Sequence, residues 1–178
     1  IMLSRKKFIT QTGLVAAAAA LRPSFTLAGN TSSFESKRPP ISERKFTSKG
    51  VEAAIIQMKK KITDPELFWL FENCFPNTLD TTVEFEIIDG KPDTYVITGD
   101  IDAMWLRDST AQVWPYLPMI KKDNKLKQLI EGVINRQKKC IILDPYANAF
   151  YKDVTKVSEW KNDLTAMKPG IHERKWEI

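Results

Sequence analysis

The sequence predicts a mostly helical protein carrying one short β-hairpin. Three observations lead there. Apolar residues recur at helical spacing in several segments, the clearest being NKLKQLIEGVINRQKKC. One stretch, TTVEFEIIDGKPDTYVIT, switches to period two around a turn. No Gly-rich phosphate loop and no repeat shorter than a helix pair occurs in the 178 residues.

The elements follow in chain order. Ile1 stands before Met2, which predicts Met2 as the true start. MLSRKKFITQTGLVAAAAALRPSFTLAG then reads as an export signal over residues 1–28: a basic start at Arg5, Lys6 and Lys7, an apolar run from Gly13 to Leu21, and cleavage after Ala28. SRKKFIT is similar to the twin-arginine pattern with Lys6 in place of the second arginine, so both twin-arginine and general secretion fit. The apolar run falls far short of the ~20 residues a spanning helix needs. An exported protein, periplasmic or extracellular, with no stable membrane insertion is expected.

Residues 29–47, rich in Ser, Thr, Lys and Pro and including SKRPP, read as a linker or extended arm ahead of a folded portion over 48–178. VEAAIIQMKKKI places Val51, Ala54, Ile55, Met58 and Ile62 on one helical face. TDPELFWLFENCF has a strong start signal, with Asp64 as cap, Pro65 at the first helical position and Glu66 in the first turn. Its apolar face is expected at Leu67, Leu70, Phe71 and Cys74 or Phe75. In the hairpin, Val83, Phe85 and Ile87 alternate with Glu84 and Glu86, and DGKPD turns the chain. In the long helix, Leu126, Leu129, Ile130, Val133, Ile134 and Gln137 share a face, capped by Asn124. LDPYANAFYKD reads as a loop.

Charge and cysteine bound the function. Formal net charge is +5 and the pI about 9.1, which by themselves invite a nucleic-acid partner. Four of the 27 basic residues and none of the 22 acidic ones lie in residues 1–28, so the remainder carries 23 against 22, or +1. The rest of the basic residues scatter as solvated faces, and nucleic acid is not expected. Cys74 and Cys140 could pair in an exported protein, but both sit in apolar surroundings, and two buried free thiols are the expectation. With His172 the only histidine, no zinc site of the usual His/Cys type can be assembled, and no cofactor is expected.

TGDIDAMWLRDSTAQVWPY, residues 98–116, crowds carboxylates, rings and an arginine together. A helix beginning near Asp108 or Ser109, with Asp108 as cap and Pro115 as kink, accounts for one acid but not for Asp100, Asp102 and Arg107. Buried carboxylates need partners, and Arg107 can supply paired hydrogen bonds. Three readings fit: an ion-pair network at a strand–helix junction, a divalent metal on Asp100 and Asp102, or a sugar site. For the last, carboxylates and Arg take hydroxyls while Trp or Tyr stacks on the apolar C–H face.

YVITGDIDAMWLRDSTAQVWPYLP, together with DPYANAFY and HERKWEI, resembles glycoside hydrolase family 125, bacterial and fungal exo-acting α-1,6-mannosidases that invert without metal. The likeness runs from about residue 46 to the end. It implies an (α/α)6 barrel of which this chain is an N-terminal part, and a mannose-containing glycan as partner. It implies that Asp102, Trp105, Arg107 and Asp108 line the pocket of the terminal mannose. Tyr146, Asn148 and Ala149 lie in the second matching segment, and His172, Glu173, Lys175 and Trp176 in the third. HERKWE also reads as the start of the next barrel helix. The resemblance further implies that the catalytic acid and base lie beyond Ile178, and that the face from Leu126 to Ile134 lacks its barrel partners here. A non-catalytic carbohydrate-binding protein on the same fold is the alternative.

Overall fold

A computed structural model describes residues 34–99, 102–145, 147, 149–153, 156 and 173–174. The expected leader over residues 1–28 lies outside them, as do Asp100, Tyr146, Asn148, His172, Lys175 and Trp176. Among the described residues four α-helices carry the fold: α1 (Lys49–Lys59), α2 (Pro65–Cys74), α3 (Leu106–Val113) and α4 (Asn124–Leu143). A hairpin of β1 (Val83–Ile88) and β2 (Lys91–Val96) packs under α4, and a second sheet joins β3 (Met104–Trp105), β4 (Ala149–Phe150) and β5 (Glu173–Arg174). Among the described residues no helix is long and apolar enough to cross a membrane.

The hairpin closes with two residues. Ile88 pairs with Lys91, leaving Asp89 and Gly90 as the turn, with φ of 52° and 74°. Two positive φ values match the twist of the flanking strands, and Asp-Gly is a favoured pair for that geometry. The turn is thus tighter than the five residues DGKPD, because Lys91, Pro92 and Asp93 already belong to β2.

The core forms where α4 lies across β2. Leu126, Leu129, Ile130 and Val133 are buried against Tyr95, Val96 and Val83, with Val51 and Ile55 of α1 beside them. The expectation that the 126–134 face lacks partners is therefore corrected: the hairpin covers it. Only Ile134 of that set points outward, as do Ile141, Ile142 and Leu143 further along. Gly132 permits this close approach, and Thr94 Oγ1 donates to the Leu129 carbonyl at 2.8 Å. Burial of this kind is worth roughly 25 cal/mol for each Å² of apolar surface removed from water.

Helix α2 starts as its sequence signal predicts, with the Asp64 carboxylate accepting from the Glu66 and Leu67 N–H groups. Its packing face differs from the expected one. Leu67 and Leu70 are exposed, whereas Phe68, Phe71 and Phe75 pack on the core; Phe71 stacks on Phe75, which meets Tyr116 edge-on. Cys74 is exposed, contrary to expectation, because it falls off that aromatic stripe; Cys140 is buried, and burial pushes its thiol up to about 11. Both thiols are free.

Helix α4 is capped one residue earlier than expected. The cap is Asp123, not Asn124, and its carboxylate accepts from Leu126 N–H at 3.0 Å, Gly50 N–H at 3.0 Å and the Ser48 hydroxyl at 2.7 Å. Ser48 in turn caps α1 by accepting from Val51 N–H. One carboxylate therefore fixes the starts of two helices. Burial pushes this carboxyl up, but the donors from Gly50, Leu126 and Ser48 outweigh it and hold the group below the usual carboxylate range. Asp123→Ala is expected to destabilise by about 2–3 kcal/mol, from the lost cap and the unpaired donors it leaves. Because the folded value is depressed, this contribution is complete above the unfolded value near ~4 and is lost as pH falls through the folded one. Urea unfolding of wild type and variant should differ at pH 7 and converge in strong acid. A difference that persists unchanged at about pH 2 would show that the charge is not the cause.

Residues 34–48 lie along α1 and α2. Lys45 and Phe46 N–H groups donate to the Asp80 and Leu79 carbonyls, and Arg38 reaches both Asp80 at 2.7 Å and Glu52 at 2.6 Å. Asp80 is 2% exposed, within a π turn (Thr78–Thr82) leading into β1. Arg44 joins from the other side, 3.2 Å from Glu52 and 3.7 Å from Asp80.

Candidate functional site

The site begins where β2 ends. Thr98 N–H and Thr98 Oγ1 both donate to the Ala103 carbonyl at 3.2 Å, and the same Oγ1 accepts from Trp105 N–H at 3.0 Å. A hydroxyl that donates and accepts at once suits this role. The chain leaving β2 is thus pinched at its neck and enters β3 in a fixed direction, with Asp102 at the neck. Helix α3 follows directly and is tied to α4 by Gln137, whose amide donates to the Leu106 carbonyl, Ser109 Oγ and Thr110 Oγ1 at 2.8–3.0 Å.

The second sheet gathers three distant segments into one surface. Trp105 stands opposite Ala149, and Ala149 opposite Arg174; Met104 stands opposite Phe150, and Phe150 opposite Glu173. The segment DPYANAFY, expected as a loop, thus contains a strand, and HERKWE contributes a strand where a helix start was the other reading. Two-residue strands are too short to show a period, which is why the sequence hid them. Behind Trp105, Ala103, Ala149 and Tyr151 form a buried cluster.

Asp102 is 59% exposed, with Lys156 Nζ at 3.1 Å from one oxygen and the Tyr95 hydroxyl at 3.4 Å from the other. Lys156 also lies 4.4 Å over the Tyr151 ring. Trp105 is half-buried, its ring packed on the Ala103 cluster. Arg107 is 88% exposed and meets Asp108 through a single contact of 3.3 Å, so among the described residues it makes no paired bond, and the charged partner of Asp102 there is Lys156. Asp108 is not a cap. The helix starts earlier, at Leu106, with Trp105 in the cap position and no side-chain cap bond, and Asp108 sits in the first turn, where negative charge favours the helix dipole. At the other end, α3 tightens into a 3-10 segment (Trp114–Lys122) at Pro115. Glu173 is placed by its backbone pairing alone.

Sequence reasoning missed Thr98, Tyr95 and Lys156. Thr98 and Lys156 leave no local signal. Tyr95 does, for a tyrosine inside a strand brings a hydroxyl that must find a partner when buried. Its ring is 1% exposed, and burial together with the Asp102 charge pushes its phenol well above the ordinary tyrosine value. Among the described residues, no group of three or more His, Cys, Asp or Glu stands together as a metal site. The surface offers a carboxylate, an aromatic ring and an adjacent solvent-facing guanidinium, groups whose chemistry suits hydroxyls and the stacking of an apolar face.

Residues 64–178 match the family model of the metal-independent α-mannosidases, GH125. A Schizosaccharomyces pombe protein, the meiotically up-regulated gene 157 protein, is 50% identical over 115 residues, 64% of this chain and 23% of its own length. A solved structure is similar at a TM-score of 0.62 and 38% identity, covering 72% of this chain and 29% of its own. It is a Streptococcus pneumoniae protein described among metal-independent α-mannosidases, in a non-productive substrate complex with α-1,6-mannobiose. The chain thus spans about a quarter of the length of these relatives, and its helices and small antiparallel hairpin belong to the α/α-barrel fold.

Proposed function

The chain belongs to glycoside hydrolase family 125, the metal-independent α-mannosidases, and from that membership we propose that the whole protein removes terminal α-1,6-linked mannose from a glycan by inverting, metal-independent hydrolysis. The observation that carries the reading is the sheet that brings the Trp105, Ala149 and Glu173 segments onto one surface. The mannobiose held by the similar Streptococcus pneumoniae structure supports a mannose ligand.

In this reading Asp102 accepts hydrogen bonds from sugar hydroxyls, Trp105 offers its ring to the C–H face, and Arg107 and Asp108 act as a pair at the pocket rim. Tyr146, Asn148 and His172 are proposed to complete the grip. Inversion requires a carboxylic acid on the leaving oxygen and a carboxylate on water, roughly 6.5–9.5 Å apart. That pair is proposed to lie outside these 178 residues, and the protein to be exported by its basic and apolar leader.

The test uses the full-length enzyme and α-1,6-mannobiose, followed by proton NMR in the presence of EDTA. β-Mannose is expected to appear first, at an undiminished rate. Activity abolished by the chelator and restored by calcium would overturn the metal-independent reading, and α-mannose appearing first would overturn inversion. Arg107→Lys in the same enzyme is expected to lower kcat/KM by about tenfold or more with an unchanged melting temperature, since lysine cannot offer two sugar hydroxyls the planar fork that the exposed guanidinium holds free for them in this reading. Turnover near that of the wild type would return Arg107 to a solvated surface pair.

A further inference from the structure

We propose that Tyr95 is a positioning residue, whose buried hydroxyl bridges the Asp102 carboxylate to the Phe150 carbonyl and so sets where that carboxylate meets the sugar. The proposal rests on the reading that this site takes mannose. Tyr95 lies inside β2, opposite Glu84, and its ring is 1% exposed. The Arg136 guanidinium lies 5.9 Å from the ring centre, and Arg136 is itself held by Asp93, at 2.7 Å through Nε. Asp93 is 2% exposed and also takes Lys139 at 2.7 Å. With strand, core and guanidinium around it, the ring has nowhere to swing, and the place of its oxygen is set by the core of the hairpin.

That oxygen stands 3.4 Å from Asp102 Oδ1 and 3.3 Å from the Phe150 carbonyl. A phenol has one proton to donate, so two acceptors at nearly equal distance share it. The hydroxyl thereby links the first sugar-site segment to the second. Asp102 gains most from this. An aspartate 59% exposed would otherwise sample several rotamers, and fixing it only when sugar arrives weakens binding. Tyr95 holds one oxygen and Lys156 the other. A carboxylate offers about four lone-pair positions, so both oxygens retain capacity for sugar hydroxyls.

The test is made on the full-length enzyme. Tyr95→Phe removes the hydroxyl and keeps the ring. KM for α-1,6-mannobiose is expected to rise about tenfold with kcat little changed, the signature of lost ground-state binding. In an Asp102→Ala background the same substitution is expected to change kcat/KM less than about twofold, because the two residues act through one contact. An equal loss in both backgrounds overturns the proposal, for it would mean that Tyr95 serves the fold alone. Crystal structures of wild type and Tyr95→Phe supply a readout free of turnover: the Asp102 carboxylate is expected to leave its place or spread over rotamers, and an unmoved carboxylate overturns the proposal. A wild-type enzyme without mannosidase activity would sink the functional reading, and those structures would still decide the role of Tyr95. If the phenylalanine variant fails to fold, 3-fluorotyrosine at the same position keeps the bond and strengthens the donor; KM is then expected to fall, and an unchanged KM overturns the proposal.

Discussion

Arg38→Ala is expected to destabilise the full-length protein by about 3–5 kcal/mol, the range for removing one partner of a buried ion pair. Its side chain is only 7% exposed and binds Asp80, 2% exposed, through both Nε and Nη2, while Nη1 and Nη2 hold Glu52. Without it, the cation left to Asp80 among the described residues is the more distant Arg44, at 3.7 Å. A carboxylate left without its main partner in the interior is the source of the loss. The attraction itself contributes less, because assembling the pair first strips water from both ions. The double variant Arg38→Met with Asp80→Asn is therefore expected to recover a large part of the stability. Urea midpoints for wild type, single and double variants check this. A single variant as stable as wild type would mean that residues 34–44 are dispensable to the fold.

Gly132→Ala is expected to destabilise by about 2–3 kcal/mol, although alanine is the better helix former by about 1 kcal/mol. A Cβ at this position would stand 2.3 Å from Thr94 Oγ1 and 2.9 Å from two backbone atoms of β2. Thr94 cannot step aside freely, since it is fully buried and its hydroxyl is spent on the Leu129 carbonyl. Helix and strand must separate, and that gap loses contacts along the whole of the α4 face. Gly132→Val should lose still more. Thermal melting of both variants checks the order. An alanine variant that melts at or above the wild-type temperature would show that α4 can lift from β2 without loss.

Much of the fold was legible because local signals and tertiary packing agree. The Asp64–Pro65 start of α2 and most of the apolar face of α4 stand where the sequence puts them, and the turn expected over DGKPD closes on its first two residues. Misreadings arose where two residues were equally suited and a distant partner decided. Asp123 and Asn124 are both good caps, and Ser48 and Gly50 select the first. On α2 the leucines and the phenylalanines each make a helical stripe, and Phe75 meeting Tyr116 selects the aromatic one. Ile134 shows the same limit: it is apolar and in phase, but it is 61% exposed on the side of α4 turned to Trp114 and Leu117 rather than to the hairpin. At the site, the segments were recognisable as sequence, while the sheet joining them was not. Its strands are two residues long, and its neck depends on one threonine hydroxyl.

That short second sheet also sets an order of assembly. The β1–β2 hairpin closes over two residues, whereas Tyr95 and Phe150 meet across 55 residues of chain. Loop closure must be met before distant contacts repay it, so neighbours in sequence pair first and the hairpin with α4 forms a scaffold early. The second sheet is stitched on last, by a few backbone bonds. The same economy makes it the part that opens most readily, and its amides should exchange with solvent well before those of the α4 core.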